Sequence, residues 1–203
     1  MSEHHLRTID EVVSLLDKPV FHTIGEAADS LDRPCYAVGG CVRDLFLDRP
    51  SKDFDFVTVG DGIGLAEKVS YLLGRGAHLS VCRTYGTAQV KRGKLELEFV
   101  GARKESYSKN SRNPKVESAT LDEDLSRRDF TVNALAVRVN RNGFGELVDL
   151  FGGLADMEAG ILRTPLDPDV TFSDDPLRMM RAVRFASQLG FALYPETKEA
   201  ICR

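Results

Sequence analysis

The amino-acid sequence predicts a mixed α/β (α+β) fold, in which a small mixed sheet is flanked by helices. The stretch DRPSKDFDFVTVG at 48–60 alternates apolar and acidic residues and is rich in strand-favouring types. A second stretch, TAQVKRGKLELEFVGAR at 87–103, alternates in the same way and predicts a hairpin that turns near Arg92 and Gly93. Helical spacing over 175–189, with Pro176 at the favoured first position, predicts a long helix.

The composition indicates a globular protein that does not enter a membrane. Of the 203 residues, 42% are hydrophobic and 29% are charged, which is ordinary for a globular domain. No run of 18 apolar residues and no charged-then-apolar N-terminus occurs, so we expect neither a membrane span nor a signal peptide, and a cytoplasmic location. The four cysteines lack metal-site spacing and are expected to be buried free thiols: Cys35, Cys41, Cys82 and Cys202.

Charge along the chain is uneven. The net charge of −4 argues against a protein that coats nucleic acid. The segment 103–115, however, holds five basic residues and one acid, which predicts that a polyanion is held at one place. The surrounding segment 104–120 is polar and without period, so we expect it to be a mobile loop.

Three regions follow from the remaining patterns. Helical patterning over 8–17 and 20–31 predicts an N-terminal helical lead-in, assigned to 1–33. A central α/β domain, assigned to 34–165, should contain these elements in order: a short strand and glycine turn in PCYAVGG, a short helix in CVRDLFLD, a helix over 62–73, a strand or helix-to-strand passage in TVNALAVRVN, and a strand and turn in GELVDLFGG. A helical segment, assigned to 166–203, restarts at Pro195 and looks cut rather than finished.

Two aspartates at the start of the first predicted strand point to a metal site. Side chains alternate along a strand, so Asp53 and Asp55 share one face about 7 Å apart, while Phe54 and Phe56 face the core. Two such carboxylates repel unless a cation lies between them, and Mg²⁺ takes hard oxygen ligands together with substrate phosphates. An EF-hand does not fit the spacing. The alternative is a solvated strand end that carries two surface acids.

A glycine pair precedes the aspartates by about ten residues. Gly39 and Gly40 lie between a strand and a helix, where free backbone N–H groups and the helix dipole favour an anion. Arg43 lies on the first turn and could clamp a phosphate with two hydrogen bonds. No P-loop motif occurs, and a plain turn would also explain the glycines. A glycine turn that binds phosphate, next to an acid pair that binds a metal, fits nucleotidyl transfer.

Two further segments concentrate arginine and acid side chains. SRRDFTVNALA places Arg127, Arg128, Asp129 and Asn133 within seven residues, although Asp129 could simply be a helix N-cap. In SDDPLRMMRAVRFA, an acid and three arginines follow at three-residue spacing and share one broad, exposed helix face: Asp175, Arg178, Arg181 and Arg184. The buried side of that helix is expected to consist of Leu177, Met179, Met180 and Val183. Asp175 could also be an N-cap.

These four motifs, in this order over 36–191, resemble the class II nucleotidyltransferases. That family includes bacterial-type CCA-adding enzymes and poly(A) polymerases, and its catalytic head is similar to the palm of DNA polymerase β. The resemblance implies a nucleotidyltransferase head followed by the start of an all-helical neck. It also implies roles for individual residues: Mg²⁺ at Asp53 and Asp55; a candidate third carboxylate at Glu98; the triphosphate at Gly39, Gly40 and Arg43; the sugar and phosphates at Arg128, Asp129 and Asn133; the base at Asp175 and Arg178; and the triphosphate or the supporting helix at Arg181 and Arg184.

The implied pair of base-recognising residues agrees with hydrogen-bond chemistry. An ionised carboxylate only accepts hydrogen bonds and a guanidinium only donates them. Asp175 therefore suits an exocyclic amine, and Arg178 suits the neighbouring ring nitrogen. Cytosine and adenine offer that arrangement, whereas guanine and uracil offer the reverse order. The pair should discriminate by about 1–3 kcal/mol per mismatched contact.

The resemblance therefore implies addition of CCA to the 3′ end of tRNA, without a template, from CTP and ATP with Mg²⁺. The segment CRTYGT at 82–87 is closer to the CCA-adding form than to the poly(A) polymerase form. Alternatives that remain open are a poly(A) polymerase, an enzyme that adds only CC or only A, and a catalytically silent nucleotide- or RNA-binding module. The sequence gives no oligomeric state.

Overall fold

A mixed seven-stranded sheet organises the chain. The computed structural model describes residues 5–49, 51–106 and 115–203. Within these residues the strand order is β3-β4-β5-β2-β1-β8-β9, and two short two-stranded ladders, β10-β11 and β6-β7, lie outside the sheet. The strands are β1 Cys35–Val38, β2 Asp53–Thr58, β3 Ala77–Cys82, β4 Thr87–Arg92, β5 Leu95–Gly101, β6 Arg103–Ser106, β7 Lys115–Ser118, β8 Leu135–Arg138, β9 Leu147–Asp149, β10 Ile161–Leu162 and β11 Ala192–Leu193.

Helices pack on both faces of this sheet and continue beyond it. The helices are α1 Ile9–Leu16, α2 Pro19–Ser30, α3 Gly40–Phe46, α4 Gly62–Leu73, α5 Leu121–Ser126, α6 Gly153–Ala159, α7 Pro168–Asp174, α8 Leu177–Leu189 and α9 Pro195–Cys202, with a 3₁₀ turn at Thr131–Asn133. The predicted mixed α/β class, the early helices and the helix-to-strand passage into β8 are thus confirmed. Helices α6 and α7 and strand β3 have no counterpart among the sequence predictions.

The centre of the sheet places the predicted acid pair on its open side. Strand β2 pairs parallel with β5 and antiparallel with β1, which is what makes the sheet mixed. Phe54 and Phe56 are buried, while Asp53 and Asp55 are exposed on the opposite face, as the alternation predicts. Phe56 stacks on Phe99 of β5 at a centroid separation of 5.2 Å. The apolar side of β2 and β5 therefore anchors the two strands that carry the acids.

The N-terminal helices share the core of the sheet. Val12 and Leu16 of α1 and Phe21 and Ile24 of α2 belong to the same buried cluster as the sheet residues. Thr8 begins α1 with a capping box, in which its hydroxyl accepts from the Glu11 N–H. These helices are therefore an integral layer of the fold.

A buried asparagine joins α2 to the sheet. The Asn140 side-chain oxygen accepts from the Cys35 N–H at 2.7 Å. Its amide nitrogen donates to Asp29 Oδ1 at 2.8 Å and to the Arg33 carbonyl at 2.9 Å. All three contacts lie more than one hundred residues away along the chain. The asparagine therefore fixes the start of β1, the strand that leads into the glycine pair.

The buried face of α8 differs from the prediction. The side chains that α8 buries are Arg178, Ala182, Phe185 and Leu189. Leu177, Met180 and Val183, which the sequence analysis assigned to the buried side, are 57–70% exposed. The prediction was wrong because apolar side chains alone do not decide which face is buried. Here the guanidinium of Arg178 is buried with a hydrogen-bonding partner, the Thr171 carbonyl at 3.3 Å.

The expected loop at 104–120 is partly ordered structure. Strands β6 and β7 pair antiparallel, with Arg103 opposite Ser118 and Lys104 opposite Glu117. Residues 119–120 then lead into α5, where Thr120 caps the helix through a capping box with Glu123. The prediction of a mobile loop is therefore wrong for these parts, because ladder pairing and a cap need no hydrophobic period. The rest of the predicted loop and basic segment, 107–114, lies outside the described residues.

The cysteines divide into two pairs. Cys35 and Cys41 are buried free thiols, as expected. Cys82 and Cys202 are exposed, so the expectation is wrong for them. Cys82 ends strand β3 at the outer edge of the sheet, and Cys202 ends the last helix, so neither position is covered by a second layer. In the described part of the chain, no helix is long and apolar enough to cross a membrane.

The contact between α2 and the end of β8 leaves no room for a side chain at Gly25. A Cβ atom there would collide with the Val139 carbonyl oxygen, which is backbone and cannot rotate away. We expect Gly25→Ala to lower the free energy of unfolding by about 1–3 kcal/mol. Urea denaturation followed by circular dichroism measures the effect. Glu26→Ala, on the exposed side of the same helix, is the matched control and should change stability by less than about 0.5 kcal/mol. An equally stable Gly25→Ala variant would contradict the packing described here.

Candidate active site

Four carboxylates lie in register on the open face of β2 and β5. Asp53 is opposite Glu96, and Asp55 is opposite Glu98, in the parallel pairing of the two strands. Glu96 accepts hydrogen bonds from Lys91 at 2.8 Å and from Gln89 at 3.1 Å. Glu98 was predicted to lie beside the aspartate pair, and the register places it there.

The environment of Asp55 disfavours its charge. Partial burial raises the pKa of the Asp55 carboxyl, and Glu98 and Asp53 raise it further, while Arg128 acts in the opposite direction. The residue is accessible to solvent, yet its carboxyl lies in a concave cavity where fewer waters can solvate it. A cation beside Asp55 would relieve the repulsion from the two neighbouring acids.

The donor set suits a divalent cation that arrives with a substrate. In the described residues, no three His, Cys, Asp or Glu side chains lie close enough to hold a metal by themselves. Mg²⁺ usually takes one or two protein carboxylates and completes its octahedron with waters and phosphate oxygens. Asp53 and Asp55, on adjacent outward positions of one strand, fit that requirement.

A cavity of about 560 Å³ opens beside Asp55 and gathers most of the predicted site residues. Seven arginines and three aspartates line it, so its charge is strongly positive. The predicted residues that line it are Gly40, Arg43, Asp55, Arg128, Asp129, Asn133, Asp175, Arg178, Arg181 and Arg184. Asp53, Glu98 and Gly39 are not among the lining residues. Arg103, Arg127 and Phe185 line the cavity and were not assigned to the site from the sequence.

Gly39 allows an arginine to approach the glycine turn. Its backbone has φ +82°, a conformation that side chains disfavour, and a Cβ atom there would lie 2.9 Å from Arg128 Nη1. The Gly39 N–H donates to the Leu135 carbonyl at 3.0 Å, which ties the turn to β8. The glycine turn and the segment SRRDFTVNALA therefore lie against each other, although about ninety residues separate Gly39 from Arg128.

A buried aspartate holds two of the arginines. Asp124 is fully buried on α5, and its two oxygens accept from Arg127 Nη2 and Arg128 Nη2, each at 3.0 Å. The backbone N–H of Arg103 donates to the same carboxylate at 3.2 Å. Burial alone would raise the pKa of Asp124, but Arg128, Arg127 and the Arg103 N–H outweigh it and lower the pKa. Sequence analysis missed this role, although an acid three and four residues before two arginines is a recognisable helical ion-pair spacing.

A second carboxylate connects the segment after α5 to α8. Asp129 Oδ1 accepts from the Phe130 N–H at 2.8 Å and from Asn133 Nδ2 at 2.9 Å. Its other oxygen, Oδ2, accepts from Arg181 Nε at 2.7 Å and Nη2 at 2.6 Å. The side-chain oxygen of Asn133 accepts from Arg43 Nη1 at 2.6 Å. A continuous hydrogen-bonded network thus runs from α8 to α3.

Arg43 is less available than the sequence suggested. It is only 7% exposed, and its Nε and Nη2 atoms both donate to Asp44 Oδ1, at 3.0 and 2.9 Å. The edge of the guanidinium that would clamp a phosphate is therefore occupied by an acid. Arg43 still lines the cavity, where it adds positive charge.

The predicted base-recognising pair lies at the junction of α7 and α8. Asp175 separates the two helices, and its Oδ1 accepts from the Leu177 N–H at 3.1 Å, so the expected capping contact is present. Its Oδ2 lies 3.9 Å from Arg178 Nε. Both side chains line the cavity, next to each other, which is the arrangement that the hydrogen-bond argument requires.

Comparison with known proteins identifies the same region of the chain. The sequence profile of the poly A polymerase head domain matches residues 35–163. An A-adding tRNA nucleotidyltransferase from Aquifex aeolicus is 46% identical over 166 residues, which are 82% of this chain and 20% of that protein. A CCA-adding enzyme from Lactiplantibacillus plantarum is 42% identical over 186 residues, which are 91% of this chain and 42% of that protein.

The solved structures that this chain resembles are of the same kinds of enzyme as these relatives. A CCA-adding enzyme in its apo form II has a TM-score of 0.85 at 31% identity, covering 99% of this chain and 47% of that one. A tRNA nucleotidyltransferase complexed with a primer tRNA and an incoming ATP analog has a TM-score of 0.77 at 40% identity, covering 88% and 48%. The chain thus spans less than half the length of these relatives. It belongs to the family of proteins that carry the poly A polymerase head domain.

Proposed function

We propose that this chain is the catalytic head of an enzyme that adds C, C and A to the 3′ end of tRNA without a template, from CTP and ATP. The observation that carries the proposal is the cavity itself. It gathers seven arginines together with Asp55 of the acid pair and with the adjacent Asp175 and Arg178. Metal, triphosphate and base would then occupy one continuous site.

The acid pair would hold Mg²⁺ at the reacting phosphate. The reaction joins the 3′-hydroxyl oxygen of the tRNA to the α-phosphorus of the nucleotide and releases pyrophosphate. Mg²⁺ held by Asp53 and Asp55 would stabilise the negative charge that develops on the attacking and leaving oxygens. Asp53 and Asp55 contribute a rigid carboxylate pair, because Phe54 and Phe56 anchor the same strand in the core. Glu98 lies beside Asp55 and would be the third carboxylate of the metal site.

The arginines would receive the triphosphate. Arg128 is placed between Asp124 and the glycine turn, so it lies close to the acid pair that would hold the metal. A guanidinium presents paired donors that match phosphate oxygens. Gly39 and Gly40 would let the nucleotide approach the backbone closely, since neither carries a side chain. Asp129 and Asn133 would support this region through their hydrogen bonds to Arg181 and Arg43.

Base choice would follow from Asp175 and Arg178. The adjacent acceptor and donors match the amine and ring nitrogen of cytosine and adenine, and mismatch guanine and uracil. Burial strengthens the discrimination, because a mismatched polar group in this partly enclosed cavity would lose its water without gaining a partner. Arg178 is only 9% exposed and is held by the Thr171 carbonyl, which fixes the direction of its donors.

A second candidate is an enzyme that adds only the terminal A. It is favoured by two relatives, from Aquifex aeolicus and Geobacter sulfurreducens, that are named A-adding tRNA nucleotidyltransferases and are 46% and 37% identical. Cytosine and adenine present the same edge to the Asp–Arg pair, so both candidates use the site described above.

Nucleotide addition by the full-length protein tests the proposal. The assay offers Mg²⁺, CTP and ATP to tRNA that ends before CCA and to tRNA that already carries CC. Growth by C, C and A on the first substrate supports CCA addition. Growth by a single A on the second substrate alone supports the A-adding candidate. A long A ladder would indicate a poly(A) polymerase, and no addition to either tRNA would contradict the proposal.

The ionised acid pair should be required for activity and should lower the stability of the metal-free protein. Asp55→Asn should lower nucleotide addition at least about 10³-fold, because it removes a metal ligand and several kcal/mol of charge stabilisation. The same variant should be slightly more stable than wild type in EDTA near pH 7, since a raised carboxyl pKa means that ionised Asp55 opposes folding there. Thermal melting with and without Mg²⁺ measures this. Glu67→Gln, on an exposed face of α4, is the charge-matched control and should leave both properties unchanged. An active Asp55→Asn variant would contradict the metal site.

The base-recognising pair should govern selectivity more than rate. Asp175→Asn replaces an acceptor-only group by one that can also donate, so the preference for ATP and CTP over GTP and UTP should fall about 10–100-fold. The ratio of kcat/KM values for the four nucleotides measures it. Asp169→Asn makes the same charge change on the exposed part of α7 and serves as control. Unchanged selectivity in Asp175→Asn would place base choice elsewhere.

The buried carboxylate at Asp124 should give the protein a pH-dependent stability. Its pKa is lowered in the folded state, so its contribution is complete above the unfolded pKa and is lost as pH falls through the folded one. We expect Asp124→Asn to cost about 2–4 kcal/mol near pH 7 and progressively less below about pH 4. Urea denaturation at a series of pH values measures this. Asp122→Asn, exposed on the same helix, is the control. A cost that does not change with pH would contradict the ion-pair account.

A further inference from the structure

The ring of Phe185 contacts three arginines that come from two parts of the fold. Its ring centroid lies 5.0 Å from the guanidinium carbon of Arg43, 5.3 Å from that of Arg181 and 4.8 Å from that of Arg184. Arg43 belongs to α3 in the sheet domain, whereas the other two belong to α8. Phe185 is only 7% exposed and lines the same cavity as the arginines.

The ring is itself held by the sheet domain. Phe130 meets it edge-to-face, with centroids 6.0 Å apart and an interplanar angle of 87°. Phe130 is fully buried and immediately follows Asp129. The ring of Phe185 therefore contacts the core residue Phe130 and the arginines of the cavity at the same time.

The three arginines differ in their ionic partners. Arg43 is paired with Asp44, and Arg181 with Asp129. Among the described residues, Arg184 has no hydrogen-bonding or ion-pair partner, and it lines the cavity. Three guanidinium groups around one ring repel each other unless the ring and an anion compensate. The ring supplies attraction without using any N–H group, so the donors of Arg184 remain available to a ligand.

We propose that Phe185 is a positioning residue of the nucleotide site, whose ring holds the guanidinium groups of Arg43, Arg181 and Arg184 where the triphosphate binds. The inference rests on the proposed function and deepens it. Phe185 would set the affinity for the phosphate chain of any nucleotide and would leave the choice of base to Asp175 and Arg178. Arg184 would be the member of this group that contacts phosphate, while Arg181 would be held back by Asp129.

Phe185→Leu tests this inference, because leucine keeps an apolar side chain on α8 and removes the aromatic ring. The probes are inorganic tripolyphosphate, ATP, CTP, GTP and UTP, and Kd is measured for each by titration calorimetry on the folded protein. We expect Phe185→Leu to weaken all five probes by one common factor of about 5- to 20-fold. Phe185→Tyr, which keeps the ring, should restore binding to within about 2-fold of wild type.

The variant Leu189→Ala distinguishes a positioning role of the Phe185 ring from a role in packing alone. Leu189 is buried one turn further along the same face of α8 and lines no part of the cavity. This variant should melt at a lower temperature than wild type and bind tripolyphosphate with an unchanged Kd. If Leu189→Ala weakens binding as much as Phe185→Leu does, the ring is only structural and the inference fails.

The remaining outcomes distinguish the inference from the proposed function. Unchanged binding in Phe185→Leu, or weakening that affects some bases and not tripolyphosphate, would overturn the role of Phe185 alone. Failure of the wild-type protein to bind any of the five probes would overturn the proposed function, and the inference with it.

Discussion

Mutual repulsion among seven arginines that converge on one cavity is the constraint that the surrounding structure meets. Different groups offset the repulsion at different arginines. Buried Asp124 neutralises two arginines at once, Asp129 holds Arg181 across to α8, and Asp44 occupies one edge of Arg43. The ring of Phe185 adds attraction at Arg184, which has no acidic partner in the described part of the chain. The surplus of positive charge that remains is what an anionic substrate would neutralise.

The same arrangement explains how α8 is held against the sheet domain. Helix α8 follows the sheet domain in sequence, yet it buries Phe185 against that domain, and two donors of its Arg181 reach one oxygen of Asp129. The groups proposed to recognise the base are therefore fixed relative to the groups proposed to hold the triphosphate and the metal. A protein that selects a nucleotide without a template needs such a fixed distance, because no base pair aligns the substrate for it.

Local patterns in the sequence predict most of this site, and long-range contacts account for the rest. Alternation placed Asp53 and Asp55 on one face, and the family resemblance implied Glu98 as a third carboxylate; the pairing of β2 with β5 puts it opposite Asp55. The buried face of α8 was predicted wrongly, because its buried side chain Arg178 is polar and its hydrogen-bond partner, the Thr171 carbonyl, lies on α7 rather than on α8. The pairing of β6 with β7 and the role of Asp124 were missed because pairing and charge, not hydrophobic period, specify them.

A crystal structure of the protein with Mg²⁺ and a non-hydrolysable ATP analogue tests the central claim most directly. The account predicts the metal between the triphosphate and the carboxylates of Asp53 and Asp55, and the phosphates among the arginines of the cavity. The adenine amine should lie at Asp175 and its N1 at Arg178. A nucleotide bound outside this cavity, or bound in it with the base toward the sheet and the phosphates toward Asp175, would contradict the account.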